Sequence, residues 1–145
     1  MPVTVAIKRF DTTLPLPKYQ TKGAAAFDLY ARVEVEIAPM SVGYVPLNIA
    51  LQLPPDHWAL LSARSSLHKR GLLLANGIGV GDEDFCGDGD EYKAALLNFT
   101  SKLVTVERGE RVTQMIILPR QQVAFAEREQ FAQPDRGGYG STGRS

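Results

Sequence analysis

Apolar and polar residues alternate with a period of two along much of the chain. Val3, Val5 and Ile7 interleave with Thr4, Ala6 and Lys8, and Val33, Val35 and Ile37 interleave with Arg32, Glu34 and Glu36. Successive side chains of a strand point to opposite faces, so this pattern predicts half-buried β-strands. Further strand-like stretches cover Val42–Leu53, Trp58–Ser62, Tyr92–Phe99, Leu103–Val106, Val112–Leu118 and Val123–Ala126. Turn formers separate them: Pro15 and Pro17, Pro39, Pro54-Pro55-Asp56, Gly87–Asp90 and Arg108-Gly109-Glu110. Only Ser65–Arg70 reads as a helical turn, with Ser65 or Ser66 as its N-cap and Gly71 at its stop. Many short strands with Gly and Pro between them predict an all-β chain, a sandwich or a barrel-like double sheet. From Arg136 onward the apolar periodicity stops and Gly, Ser and Arg dominate. The expected organisation is therefore a β domain over 1–135 and a mobile tail over 136–145.

Composition narrows the picture. A chain of 145 residues with 44% apolar and 22% charged residues fits one soluble domain able to bury a core. Its formal net charge of +0 gives no global basic field for nucleic acid or anionic lipid, so any anion site must be local. The single cysteine, Cys86, excludes an internal disulfide and a cysteine-built zinc site. With no apolar run of membrane-span length and no signal-peptide core, the expected compartment is the cytoplasm.

Four segments could carry chemistry. Arg64-Ser65-Ser66-Leu67 puts a guanidinium and two hydroxyls at the start of a helical turn. That suits a phosphate oxygen, and it equally suits a plain capping segment. The run Asp82-Glu83-Asp84-Phe85-Cys86-Gly87-Asp88-Gly89-Asp90-Glu91 invites an EF-hand count from Asp82. The count fails at Cys86 and Lys93, and strands rather than helices flank the run. It reads either as a solvated loop or, because Asp82 directly follows the apolar stretch Leu72–Val80, as a carboxylate held at a strand end for base work. Arg108-Gly109-Glu110-Arg111 alone is a turn into an apolar strand. The tail combines Gly137, Gly138, Gly140 and Gly143 with hydroxyls, two arginines and Tyr139, the donors and stacking face of a nucleotide lid, but is no Walker loop. His57 and His68 lack metal spacing, and no Gly-x-Ser-x-Gly elbow occurs.

Taken in order, these segments resemble the five motifs of the trimeric dUTPase family. Ala25-Ala26-Phe27-Asp28-Leu29 resembles the first and Arg64-Ser65-Ser66-Leu67 the second. Asn76-Gly77-Ile78-Gly79-Val80-Gly81-Asp82-Glu83-Asp84-Phe85, closing at Asn98, resembles the third. Gly109-Glu110-Arg111-Val112-Thr113-Gln114 resembles the fourth and Gly137-Gly138-Tyr139-Gly140-Ser141-Thr142-Gly143 the fifth.

The resemblance implies a jelly-roll-like distorted β-barrel and a homotrimer whose three active sites each draw on all chains. It implies Mg²⁺-dependent hydrolysis of dUTP to dUMP and pyrophosphate, which limits uracil in DNA and supplies dUMP for thymidylate synthesis. Nucleic acid and membranes are not expected partners. By position, Asp82 would activate the water that attacks the α-phosphorus, and Phe85 would pack on the deoxyribose and reject a 2′-hydroxyl. Asn76, Gly79 and the backbone at Lys93 would read the uracil edge. Arg64, Ser65, Ser66 and Gln114 would hold phosphate oxygens, and Asp28 would touch the metal through water. The tail would close as a lid, Tyr139 stacking on uracil and Arg136, Gly140, Ser141 and Thr142 meeting phosphates. Three departures stand out: Gly81 replaces a bulky aliphatic before the catalytic Asp and so is expected to loosen the wall that positions it, the Gly87–Asn98 hairpin is long and acidic, and Arg136 lies nearer the aromatic than the family's tail arginine. A dCTP deaminase, which shares the fold, would need a glutamate where this chain has Ala95. A degenerate dUTP-binding module is the non-enzymatic alternative.

Overall fold

The structure is a computed structural model that describes residues 2–140 and 143. Its first half contains β1 (Ala6–Arg9), β2 (Phe27–Tyr30), β3 (Val35–Ile37), β4 (Val42–Pro46), β5 (Ile49–Gln52) and β6 (His57–Ala63). A 3₁₀ turn (Leu67–Arg70) follows, then β7 (Leu72–Leu74), β8 (Gly79–Gly81), β9 (Lys93–Asn98), β10 (Val104–Val106) and β11 (Arg111–Pro119). The strands form a four-stranded sheet in the order β2-β11-β6-β8, a three-stranded sheet β4-β9-β7, and the pairs β1-β5 and β3-β10. Every ladder is antiparallel, and none joins strands adjacent in sequence. Sheets knitted from distant segments in this way give the expected jelly-roll-like architecture. Leu29, Ile37, Val45, Ile49, Leu72, Leu96 and Met115, drawn from several of these sheets, meet in one core with essentially no exposure.

Local chemistry explains where strands start and stop. The stretch 42–53 is two strands because Asn48 adopts a left-handed backbone (φ 72°). Asn tolerates that region better than most residues. Its amide also brackets the N-terminal loop, accepting from the Asp11 N–H at 2.6 Å and donating to the Asp11 carbonyl at 3.0 Å. The strand expected from Val3 begins only at Ala6, where pairing with Gln52 starts. The stretch Leu72–Val80 folds back on itself at Asn76-Gly77, Gly77 supplying φ 73°. Val123–Ala126 forms no strand: nothing among the described residues pairs with it, and Val123 and Phe125 are 67% and 96% exposed. The helical turn is present, capped by Ser66 and ended by Gly71 at φ 78°. Asn98 is buried and brackets two segments, donating to the Ile37 and Lys102 carbonyls at 2.8 and 2.7 Å.

Candidate active site

Strand β8 delivers Asp82 to its own end. Gly79, Val80 and Gly81 pair with Leu61, Leu60 and Ala59 of β6, and the chain then turns, the Phe85 N–H reaching the Asp82 carbonyl at 3.2 Å. Close approach explains Gly79: a Cβ there would lie 2.9 Å from the Leu61 Cβ. On one side of Asp82 is a groove of about 570 Å³. Asn76, Gly79, Asp82, Phe85 and Lys93 all line it. The sequence-predicted base, sugar platform and uracil readers thus converge on one concavity, although they come from β8, β9 and two different loops. Asp82 also borders a broader cleft of about 1040 Å³ beside Trp58, Glu83 and Arg120. Arg120 is engaged there, pairing with Glu83 at 3.2 Å and Asp56 at 3.3 Å.

The acidic run divides by role. Glu91 is buried and accepts from Arg32 at 2.7 and 3.0 Å and from the Asn48 N–H at 2.9 Å. The carboxylate in turn raises the Arg32 guanidinium above its ordinary pKa. Asp90 closes its own loop by accepting from the Gly87 N–H at 2.8 Å. These anchors fix the long hairpin, so Lys93 begins β9 at the groove's edge. Asp82 is exposed and makes no ion pair among the described residues, which leaves its carboxylate available to solvent and ligand.

The opening expected beside Gly81 is closed. A Cβ on Gly81 would meet the Tyr92 ring and hydroxyl, so tyrosine supplies from β9's approach the bulk that glycine omits from β8. Nothing in the local sequence signals this pairing, because the partners lie on opposite arms of the acidic hairpin.

A second constellation gathers at the other end of β6. Asp28 on β2 is registered opposite Gln114 on β11. It is 6% exposed and takes Arg64 Nε at 3.2 Å and Arg111 Nη1 at 3.1 Å, both on Oδ2. Arg64 Nη1 also donates to the Arg111 carbonyl at 3.0 Å, and the Gln114 amide donates to the Ala63 carbonyl at 2.9 Å. Sequence reasoning left Arg111 without a role; its place in the fourth motif was the available signal. Ser65 and Ser66 are exposed, and Ser66 caps the 3₁₀ turn by backbone position alone, with its hydroxyl unused in the cap. Among the described residues no three His, Cys, Asp or Glu side chains converge into a metal cage. The Oδ1 atom of Asp28 takes part in no hydrogen bond there, which leaves one carboxylate oxygen free to meet a hydrated cation.

The two constellations do not meet within one chain. Asp82 continues the β8 register past Gly81↔Ala59 to the level of Trp58, whereas Arg64 follows Ala63 at the far end of β6. The rise of a strand over that stretch separates the two levels by about 20 Å. The tail also stays apart: Arg136, Tyr139 and Gly140 are exposed, Tyr139 with φ 52°. Ser141 and Thr142 lie outside the described residues.

Comparison with known proteins gives a consistent answer. A family model described as dUTPase matches residues 12–145. A deoxyuridine 5'-triphosphate nucleotidohydrolase from Dictyoglomus turgidum is 38% identical, covering 97% of this chain and 99% of that protein. One from Anaeromyxobacter sp. is 39% identical, covering 99% and 100%. Among solved structures, a dUTPase from Streptococcus mutans superposes with a TM-score of 0.75 at 29% identity over 82% of this chain and 98% of that one. A Staphylococcus bacteriophage 80alpha dUTPase variant with dUpNHpp has the same fold, with a TM-score of 0.82 at 19% identity over 97% and 99%.

Proposed function

The chain belongs to the dUTPase family, and from that premise we propose that its groove binds dUTP with the α-phosphorus beside Asp82, which activates the attacking water. The activity is hydrolysis of dUTP to dUMP and pyrophosphate, that of a dUTP diphosphatase. The observation that carries the site assignment is the convergence of Asn76, Gly79, Asp82, Phe85 and Lys93 on one groove. Asp82 holds the water and takes its proton as the new P–O bond forms; pyrophosphate leaves. Phe85 packs on the deoxyribose and crowds out a 2′-hydroxyl. Asn76, Gly79 and the Lys93 backbone hydrogen-bond the uracil edge, in a slot that a 5-methyl group does not enter. Ala95, also in this groove, cannot serve as the acid–base of a deaminase.

Phosphate oxygens are bound by Arg64, Ser65, Ser66 and Gln114, and Asp28 would hold Mg²⁺ with its free oxygen. When bound, Mg²⁺ offsets triphosphate charge and eases departure of pyrophosphate. Because Arg64 lies about 20 Å along β6 from the base, and Gln114 and Asp28, at the level of Ser62, about 13 Å, they act at the groove of another copy. The functional unit is thus a homotrimer with shared sites. The exposed apolar arm containing Val123, Phe125 and Phe131 supports this reading, since such side chains are ordinarily covered by a partner. No helix among the described residues is long and apolar enough to cross a membrane; we place the enzyme in the cytoplasm, where its nucleotide is.

The tail is the lid, Tyr139 covering uracil while Arg136, Gly140, Ser141 and Thr142 reach the phosphates. Truncation after Asp135 is expected to lower kcat/KM for dUTP by about 10²-fold or more through lost positioning. Its oligomeric state and melting temperature should match the full chain's, because residues 136–140 make no core contact. Unchanged steady-state kinetics would remove the lid from the mechanism.

A further inference from the structure

Gly81 and Tyr92 form a packing pair at the floor of the groove. A Cβ on Gly81 would lie 2.7 Å from the Tyr92 hydroxyl, 2.8 Å from its Cε1 and 3.0 Å from the Ala59 Cβ. The phenol therefore occupies the space a larger residue at 81 would need. Tyr92 is 6% exposed and meets Phe85 edge-on, with ring centroids 5.2 Å apart at 85°. That is a favoured aromatic arrangement, and it fixes the platform on which the sugar packs.

The ring could do this work as phenylalanine. The hydroxyl could not be expected from packing alone: it is fully buried and has no hydrogen-bond partner among the described residues. Buried polar atoms left unpaired destabilise a fold and are rare. Burial, and then the charges of Asp82, Asp90 and Cys86, push the phenol up to about 12. It is consequently a neutral O–H donor at any ordinary pH. Neighbouring carboxylates are mostly committed. Asp90 accepts from the Gly87 N–H, and Glu91 is held by Arg32 and the Asn48 N–H. Asp82 is bonded to the very glycine against which the hydroxyl rests, lines the same groove, and has no ion-pair partner among the described residues.

We propose that Tyr92 is a positioning residue for hydrolysis, its ring seating Phe85 and its hydroxyl donating to the Asp82 carboxylate when dUTP is bound. One carboxylate oxygen is then fixed by the phenol, leaving the other aimed at the water. The inference rests on the assignment of Asp82 as base and adds a residue to it.

The test is Y92F, which keeps the ring and removes the donor. The variant should lose about tenfold in kcat with KM for dUTP changed by less than about twofold, the signature of a bond that aims the base rather than one that holds the nucleotide. Its melting temperature without nucleotide should equal or exceed the wild type's, because an unsatisfied buried hydroxyl has gone. Unchanged kcat beside an active wild type overturns the proposal and leaves the dUTPase reading intact. A lowered melting temperature also overturns it, since the hydroxyl would then have a partner inside the folded protein. A wild type that releases no pyrophosphate from dUTP takes down both.

Discussion

Asp82→Asn is expected to reduce pyrophosphate release from dUTP by roughly 10²–10⁴-fold, the range supplied by a positioned general base. Asparagine has nearly the same shape and can still accept a hydrogen bond from water, but it cannot take the proton. The fold should be indifferent to the change. Asp82 is exposed and pairs with no cation among the described residues, and the turn after it is held by its carbonyl, which asparagine retains. Melting temperature and solution mass should therefore be those of the wild type. Nucleotide affinity should also survive, because the uracil and sugar contacts are assigned to other groove residues, Asn76, Gly79, Phe85 and Lys93. Assays of dUTP, dCTP, dTTP and UTP with wild type and variant side by side check this, and only dUTP should turn over in the wild type. If Asp82→Asn retains more than about a tenth of wild-type kcat, Asp82 is excluded as the base. Ammonia release would instead indicate a deaminase, and binding without turnover by the wild type would leave a binding module.

Much of this was legible in the chain, and the failures are physically instructive. Strands β6, β9 and β11 are strongly apolar on at least one face, and their expected and observed limits nearly coincide. The split at Asn48 was hidden because a left-handed residue inside an apolar stretch changes direction without changing composition. Val123–Ala126 alternates like a strand but finds no partner within its own chain. Pairing is a property of two segments, and periodicity reports only one. The site shows the same division. Asp82, Phe85 and Asn76 could be singled out as candidates because each sits in a short local pattern. Tyr92 could not, because its meaning depends on a glycine across the hairpin and on a ring-to-ring contact with Phe85. Gly81 looked like a loosened wall for the same reason: the sequence displays the missing side chain and conceals its replacement. The salt bridges of Asp28 likewise need the β2–β11 register, which no linear motif records.

Two inactive chains are expected to restore each other. Arg64→Ala should abolish most turnover by removing the guanidinium proposed to meet the phosphates, while Asp28 keeps Arg111 at 3.1 Å and the local fold. Asp82→Asn is inactive for the separate reason given above. Within one chain the two positions are about 20 Å apart along β6, too far for both side chains to reach the phosphates of one nucleotide. If each site takes its base from one subunit and its phosphate donors from another, a mixed trimer contains a site in which both contributors are intact. The experiment needs the variants co-expressed under different tags and purified through both. Going round a cyclic trimer that holds both kinds of chain, about one site in three combines an intact Asp82 with an intact Arg64, so about a third of wild-type kcat should return. The companion measurement is a solution mass three times that of the 15.9 kDa chain. Doubly tagged material without activity would place base and phosphate donors in the same subunit. That outcome would require a rearrangement of β6 and β8 for which their ladder, from Ala59↔Gly81 to Leu61↔Gly79, leaves no slack. Recovered activity, conversely, would assign the separation of the two constellations in the single chain to a division of labour between copies.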